Sequence, residues 1–145
     1  MKKALSSLAV FSLLASAALA AAGWGDDYEK ALAQAKAEKK MVVLDFTGSN
    51  WCGWCIKLDK EVFSKPEFKS YAKQNLVLVE VDFPRPSSQS KKLKAQNDKL
   101  QKEHGVEGFP TIVVLNSEGK KVGTLGYMEG GPKNFIGKLD ELKSK

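Results

Sequence analysis

Along this chain, apolar residues switch repeatedly between helical spacing and short unbroken runs, and each switch predicts an element. Between Asp26 and Lys40, Tyr28, Ala31, Leu32 and Ala35 recur at helical spacing, with Asp26 or Asp27 available as N-cap; an amphipathic helix is expected. Met41-Val42-Val43-Leu44-Asp45-Phe46 follows as a nearly continuous apolar run, the pattern of a strand covered on both faces. Thr47 to Asn50 reads as a turn rich in capping side chains. Cys55, Ile56, Asp59, Val62 and Phe63 then restore the helical period, so a helix is expected from Cys52 to Phe63. Pro66 opens a further helical turn through Tyr71, and Leu76 to Val81 is a second buried strand.

Two prolines and two serines make Asp82 to Ser88 a loop. Lys91 to His104 is lysine-rich, with Leu93 and Leu100 seven residues apart, and reads as a solvent-facing helix that Gly105 terminates. Thr111 to Leu115 is a third strand, joined through Asn116-Ser117-Glu118-Gly119 to a fourth at Lys120 to Leu125, a hairpin spacing. Gly130-Gly131-Pro132 introduces a last helix to about Leu142, with Phe135, Ile136, Leu139 and Leu142 as its apolar stripe. Strands interleaved with helices predict an α/β fold around a sheet of about four strands, with no internal repeat.

The first residues change the picture. Lys2 and Lys3 precede an uncharged Ala/Leu/Ser-rich stretch from Ala4 to Ala22, which reads as a secretory signal peptide. Ala18-Leu19-Ala20 offers cleavage before Ala21, and Ala20-Ala21-Ala22 a second site two residues later. An uncleaved anchor is the rival, because the stretch approaches the ~20 residues that span a bilayer. Its four serines and many alanines make it less apolar than a typical span. The expected organisation is a signal peptide at 1–20, or to 22, and one domain at 21–145, extracytoplasmic or periplasmic, monomeric and without stable membrane insertion after cleavage.

Composition then narrows the partners. With 43% apolar and 28% charged residues, 145 residues less the first 20 leaves 125, one ordinary domain. Losing Lys2 and Lys3 takes the net charge from +6 to +4. That excess is spread out, without the arginine clusters of a nucleic-acid footprint.

Export also decides how Cys52 and Cys55, the 2 cysteines, are read. An oxidising compartment permits a disulfide. As a staple the bond would be poorly placed, because a two-residue loop removes little chain entropy. Cysteines at i and i+3 on a helix lie near the ~5–6 Å Cα separation that a disulfide prefers, so the pair opens and closes without backbone movement. At a helix N-terminus, unpaired N–H groups and the positive dipole end stabilise a thiolate, which favours Cys52 as nucleophile. Cys55, one turn deeper and shielded, is the resolving cysteine. Gly53 keeps the approach open, and Trp51 and Trp54 supply apolar surface for an extended substrate. One CxxC and 1 histidine make a metal site unexpected, and no cofactor beyond the cysteine pair is called for.

Val43-Leu44-Asp45-Phe46 leading to Trp51-Cys52-Gly53-Trp54-Cys55, and later Gly108-Phe109-Pro110-Thr111, resemble the paired motifs of the thioredoxin superfamily. The resemblance runs from about Tyr28 to Leu142 and is nearest to exported thioredoxin-like proteins allied with bacterial thiol:disulfide interchange proteins. It implies a mixed sheet flanked by helices on both faces. It implies a cis Pro110 facing the CxxC, with the Phe109 backbone pairing with substrate, and Gly126-Tyr127 as a third side of the groove. Asp45 resembles the buried acid that takes the resolving cysteine's proton, although one extra residue separates it from Cys52. The local alternative is a carboxylate that caps the Gly48–Asn50 turn. His104 reads as a solvent-facing cation at a helix end, outside the site. The Pro84 to His104 stretch is longer than in thioredoxins and reads either as a docking surface or as a solvated helix.

Gly53-Trp54 brings no cation or imidazolium to hold Cys52 ionised, whereas a strong oxidant needs its reduced form stabilised. A reductase or general exchange role on the disulfides of extracytoplasmic proteins is therefore expected, kept reduced by a membrane-embedded electron donor. An oxidase or isomerase of the same fold, and a non-enzymatic binding or chaperone module, stand as alternatives.

Overall fold

The structure is a computed structural model describing residues 23–145; the predicted signal peptide and its cleavage sites lie outside them. The elements follow the order α1 (Tyr28–Glu38), β1 (Met41–Thr47), α2 (Gly53–Leu58), a π-helical turn (Asp59–Phe63), α3 (Pro66–Asn75), β2 (Leu76–Asp82), α4 (Lys91–Glu103), β3 (Thr111–Leu115), β4 (Lys121–Leu125) and α5 (Gly131–Lys143). Asp27 caps α1 by accepting the Lys30 N–H, and Lys39 in a left-handed conformation ends it.

The four strands form one mixed sheet in the order β2-β1-β3-β4. β1 and β2 run parallel, which requires the long crossover supplied by α2 and α3, while β1–β3 and β3–β4 are antiparallel. On the free edge of β2, Gly25 bridges to Val79 and takes up the open backbone groups that invite pairing with another chain.

Because side chains alternate along a strand, β1 feeds both layers. Val42, Leu44 and Phe46 pack with Ala31, Ala35 and Leu100 under α1 and α4. Met41 and Val43 pack with Leu58, Val62, Phe63, Phe68 and Phe135 under α2, α3 and α5. Asp45 belongs by register to that second face.

Three expectations are corrected. The helix expected over Cys52–Phe63 widens after Leu58, where the Ser64 N–H reaches back to the Asp59 carbonyl; Val62 and Phe63, adjacent in sequence, are then both buried. The turn expected from Pro66 to Tyr71 runs on to Asn75. The lysine-rich helix is not simply solvated: Leu100 enters the core and buried Asn97 donates through Nδ2 to the Asp82 carbonyl at 3.1 Å.

Candidate active site

The end of β1 and the start of α2 are joined by Gly48-Ser49-Asn50-Trp51, whose geometry decides where the cysteines sit. The Cys52 N–H returns to the Gly48 carbonyl at 2.8 Å, closing the turn. Ser49 donates through its N–H and hydroxyl to the Asp82 carboxylate at 2.9 and 2.6 Å. The capping carboxylate is thus Asp82, not Asp45. A Cβ on Gly48 would lie 2.6 Å from Cζ2 of Trp51, so this residue must be glycine for the indole to fold over the turn.

Cys52 is the N-cap of α2 and is disulfide-bonded to Cys55, with Cα atoms 5.2 Å apart. Cys52 Sγ accepts the Cys55 N–H at 3.2 Å, the kind of donor that favours a thiolate at this sulfur. The expected difference in shielding does not appear in this bonded state: the residues are 7% and 6% exposed. What distinguishes them is position, since only Cys52 stands at the helix start. At Gly53 a Cβ would meet nothing within 4 Å, so the first residue of α2 faces open space.

The two tryptophans divide. Trp51 is half-buried, donates Nε1–H to the Phe83 carbonyl at 2.7 Å and meets the Phe109 ring edge-on at 5.9 Å. Trp54 is 58% exposed and leans on Tyr127 at 5.0 Å. Each lies under a cation: the Arg85 guanidinium is 3.7 Å from the Trp51 centroid, and Lys57 Nζ is 5.1 Å from the Trp54 and Tyr127 rings. Tyr127 donates to Glu61 at 2.6 Å, which pushes the phenol up.

The Phe109–Pro110 peptide bond is cis, and the Thr111 hydroxyl holds this loop by donating to the Gly108 carbonyl at 2.6 Å. Pro110 is brought to the CxxC turn through the Phe109–Trp51 contact, and Gly126 lies beside the Pro110 carbonyl, where a Cβ would stand 3.9 Å away.

Asp45 pairs in register with Glu80 and Ile112. Its Oδ1 is sealed from water and has no hydrogen-bond partner. Burial, reinforced by the charges of Glu80, Asp59 and Asp82, pushes its carboxyl up to about 8. Glu80 is likewise raised, by burial and then by Asp82, and with Asp82 and Asp26 it lines a cavity of ≈ 380 Å³ against Trp24 and Gly25. Asp45 thus holds its proton to near-neutral pH.

His104 departs from expectation. It is half-buried, 6.2 Å from the Phe46 ring, rather than facing solvent, and burial followed by the Lys121 charge lowers its pKa, which disfavours the cation. Among the described residues no group of three or more His, Cys, Asp or Glu is arranged to hold a metal ion.

The residues that sequence reasoning did not reach are Phe83 and Arg85 over Trp51, Lys57 and Glu61 beside Tyr127, and Glu80 beside Asp45. Only Glu80 had a local signal, the period-2 placement of an acid within an apolar strand.

The family model described as "Thioredoxin-like domain" matches residues 28–143. The chain belongs to this thioredoxin-like family. Among curated proteins it is similar to the disulfide bond reductase DsbH of Chlamydia pneumoniae, 37% identical over 114 residues, covering 79% of this chain and 69% of that one. It is also 32% identical over 110 residues to the thiol:disulfide interchange protein DsbD of Vibrio vulnificus, covering 74% of this chain but only 17% of DsbD. Among solved structures, a DsbH oxidoreductase superposes with a TM-score of 0.80 at 35% identity, covering 84% of both chains. With both cysteines of its motif in place, this thioredoxin-like chain carries the thiol–disulfide oxidoreductase centre of the family.

Proposed function

We propose that the protein is an exported reductase of protein disulfides. The observation that carries this reading is the Cys52–Cys55 bond at the start of α2, with the Cys55 N–H aimed at Cys52 Sγ. In the reduced enzyme, the Cys52 thiolate attacks a substrate S–S bond. A Cys52–substrate mixed disulfide forms and one substrate thiolate leaves, to be protonated from solvent. The ionised form of Asp45, whose share grows as pH rises toward 8, takes the Cys55 proton, and the Cys55 thiolate attacks Cys52 Sγ. The second substrate thiol is released and the Cys52–Cys55 bond re-forms. The substrate gains two electrons and the enzyme loses two, which a membrane-embedded donor restores.

Trp54, Gly53, Phe109, Pro110 and Gly126 line the approach for an extended protein segment, and Trp51 shapes it from behind. The reductive direction is supported by the absence of a charged residue between the cysteines and by the similarity to DsbH, a disulfide bond reductase. Export rests on residues 1–20 as a cleaved signal peptide, leaving a monomeric thioredoxin-like domain from Ala21 or Gly23, with no nucleic-acid partner.

The test is insulin reduction with dithiothreitol as donor. Cys52→Ser is expected to abolish turnover, and Cys55→Ser to leave substrates covalently held on Cys52. No trapped adduct with Cys55→Ser overturns exchange through Cys52. A glutathione titration giving a strongly oxidising potential overturns the direction. Mass spectrometry of the periplasmic protein checks cleavage after residue 20 or 22.

A further inference from the structure

The loop after β2 is fastened to the turn that carries the cysteines. Besides the Trp51–Phe83 bond, the Arg85 N–H donates to Asn50 Oδ1 at 3.0 Å, and Asn50 Nδ2 donates to the Arg85 carbonyl at 2.9 Å. Phe83 stacks on Phe109 at 5.1 Å, making with Trp51 a continuous aromatic floor from the CxxC turn to the cis-proline loop. Beside it lies a recess of ≈ 260 Å³, whose walls include Pro84, Arg85, Lys94 and Gln101. That is below the ~300–1,000 Å³ of sites for whole small molecules, a size suited to side chains of a passing peptide.

The charge of the recess is one-sided. Lys94 is paired with Asp98 at 2.7 Å, but no carboxylate among the described residues pairs with Arg85. Arg85 is nonetheless held in place, by two backbone bonds and by stacking on Trp51. A guanidinium ordered in advance loses little freedom when it grips a carboxylate with both arms, and it repels a lysine at the same position.

We propose that this recess selects substrates carrying an aspartate or glutamate close in sequence to the reacting half-cystine, its carboxylate gripped by Arg85 and its methylenes laid on Phe83 and Phe109. Trp51 immediately precedes Cys52, and an extended chain advances about 3.3–3.6 Å per residue, which puts the selected position within a few residues of the attacked sulfur. The proposal rests on the exchange reading above and adds the substrate class.

The test uses the full chain and three disulfide-linked peptides differing only two residues before the half-cystine, in Glu, Gln or Lys. Expected is a kcat/KM for the Glu peptide about tenfold above the Gln peptide, with Lys lowest, and a ratio that collapses in molar salt. Arg85→Gln is expected to bring the Glu/Gln ratio near one, and Arg85→Lys to retain part of it. Equal wild-type kcat/KM for all three peptides overturns the subsite. So does a Glu/Gln ratio that survives molar salt or Arg85→Gln. Failure of the wild-type enzyme to reduce even neutral hydroxyethyl disulfide overturns the exchange reading itself, and the proposal with it.

Discussion

Trp51 and Trp54 stand on either side of Cys52, and each lies under a cation, yet the rest of their surroundings differ. On the Trp51 side the ring is packed over Gly48 and Phe109, its N–H is bonded, and the Asn50, Ser49 and Asp82 groups find partners. On the Trp54 side an aromatic ring stands in solvent, and half-buried Asp45 has one oxygen sealed from water without a partner and a carboxyl raised to about 8. One side satisfies local rules; the other breaks two of them, an exposed apolar ring and a carboxyl oxygen sealed from water without a partner. Such violations collect at working sites and are offset elsewhere in the fold. The motif's N-terminal side is thus locally satisfied, and its C-terminal side is not.

The largest expected effect separates the tryptophans directly. Trp51→Ala removes a packed indole and leaves the Phe83 carbonyl unpaired, so a loss of roughly 3–5 kcal/mol is expected by urea denaturation. Trp54→Ala, exposed, is expected to stay within about 1 kcal/mol while lowering kcat/KM for insulin reduction. Equal losses of stability at the two positions break the comparison.

Asp45→Asn tests the other side, and its sign is opposite. The carboxyl ionises at 3.8 in an ordinary setting and at about 8 in the fold, so the folded state holds the proton more tightly. That contribution to stability is complete below pH 4 and is lost as pH rises through 8. Asn carries no charge to bury. The variant is expected to be more stable than wild type by on the order of 2–4 kcal/mol at pH 9, the difference vanishing near pH 4, while release of the mixed disulfide slows. Calorimetry across that range checks it; a difference independent of pH contradicts the assigned cause.

The comparison also explains what the chain discloses by its sequence. The apolar run of β1, the capping Asp27 and the stripe of α5 are local patterns, and they appear where the periods place them. Cys52 and Cys55 are likewise legible, because their chemistry is carried by residue type and short spacing, whereas the cis Phe109–Pro110 bond is expected only through the family resemblance. The Trp51 side is not. Its bonds join residues 32 to 35 positions apart, such as Trp51 to Phe83 and Asn50 to Arg85, and no local period encodes which loop returns to which turn. The burial of Asn97 is illegible for the same reason: a polar residue in a lysine-rich helix counts as surface until the Asp82 carbonyl it serves is known. Glu80 needed the β1–β2 register before it became a neighbour of Asp45.

A smaller effect sharpens the packing side. Gly48→Ala puts a methyl into the Trp51 ring, and a cost of about 1–3 kcal/mol is expected as the indole shifts. In a Trp51→Ala background the obstructing ring is gone, and the same substitution is expected to be nearly neutral. That coupling is readable as a double-mutant cycle. Strict additivity means the glycine serves something other than the tryptophan.

The smallest effect asks how much of the acid's behaviour comes from its neighbours. Burial is the main cause of the raised Asp45 carboxyl, and Glu80, directly across the β1–β2 ladder, is the first charge to reinforce it. Glu80→Gln keeps the shape and removes that charge, so the Asp45 titration is expected to move to lower pH. Two readouts follow with one sign. The carboxyl carbon resonance of Asp45 should titrate earlier than in wild type, and the pH at which Asp45 becomes available to accept the Cys55 proton should fall with it, extending insulin reduction toward acid. The stability lost between pH 4 and 8 should also become shallower, because the folded and unfolded ionisations lie closer together. An Asp45 midpoint that stays in place shows that exclusion of water alone sets this group. The unsatisfied side of the motif would then owe its chemistry to burial at the strand end rather than to the acids beside it.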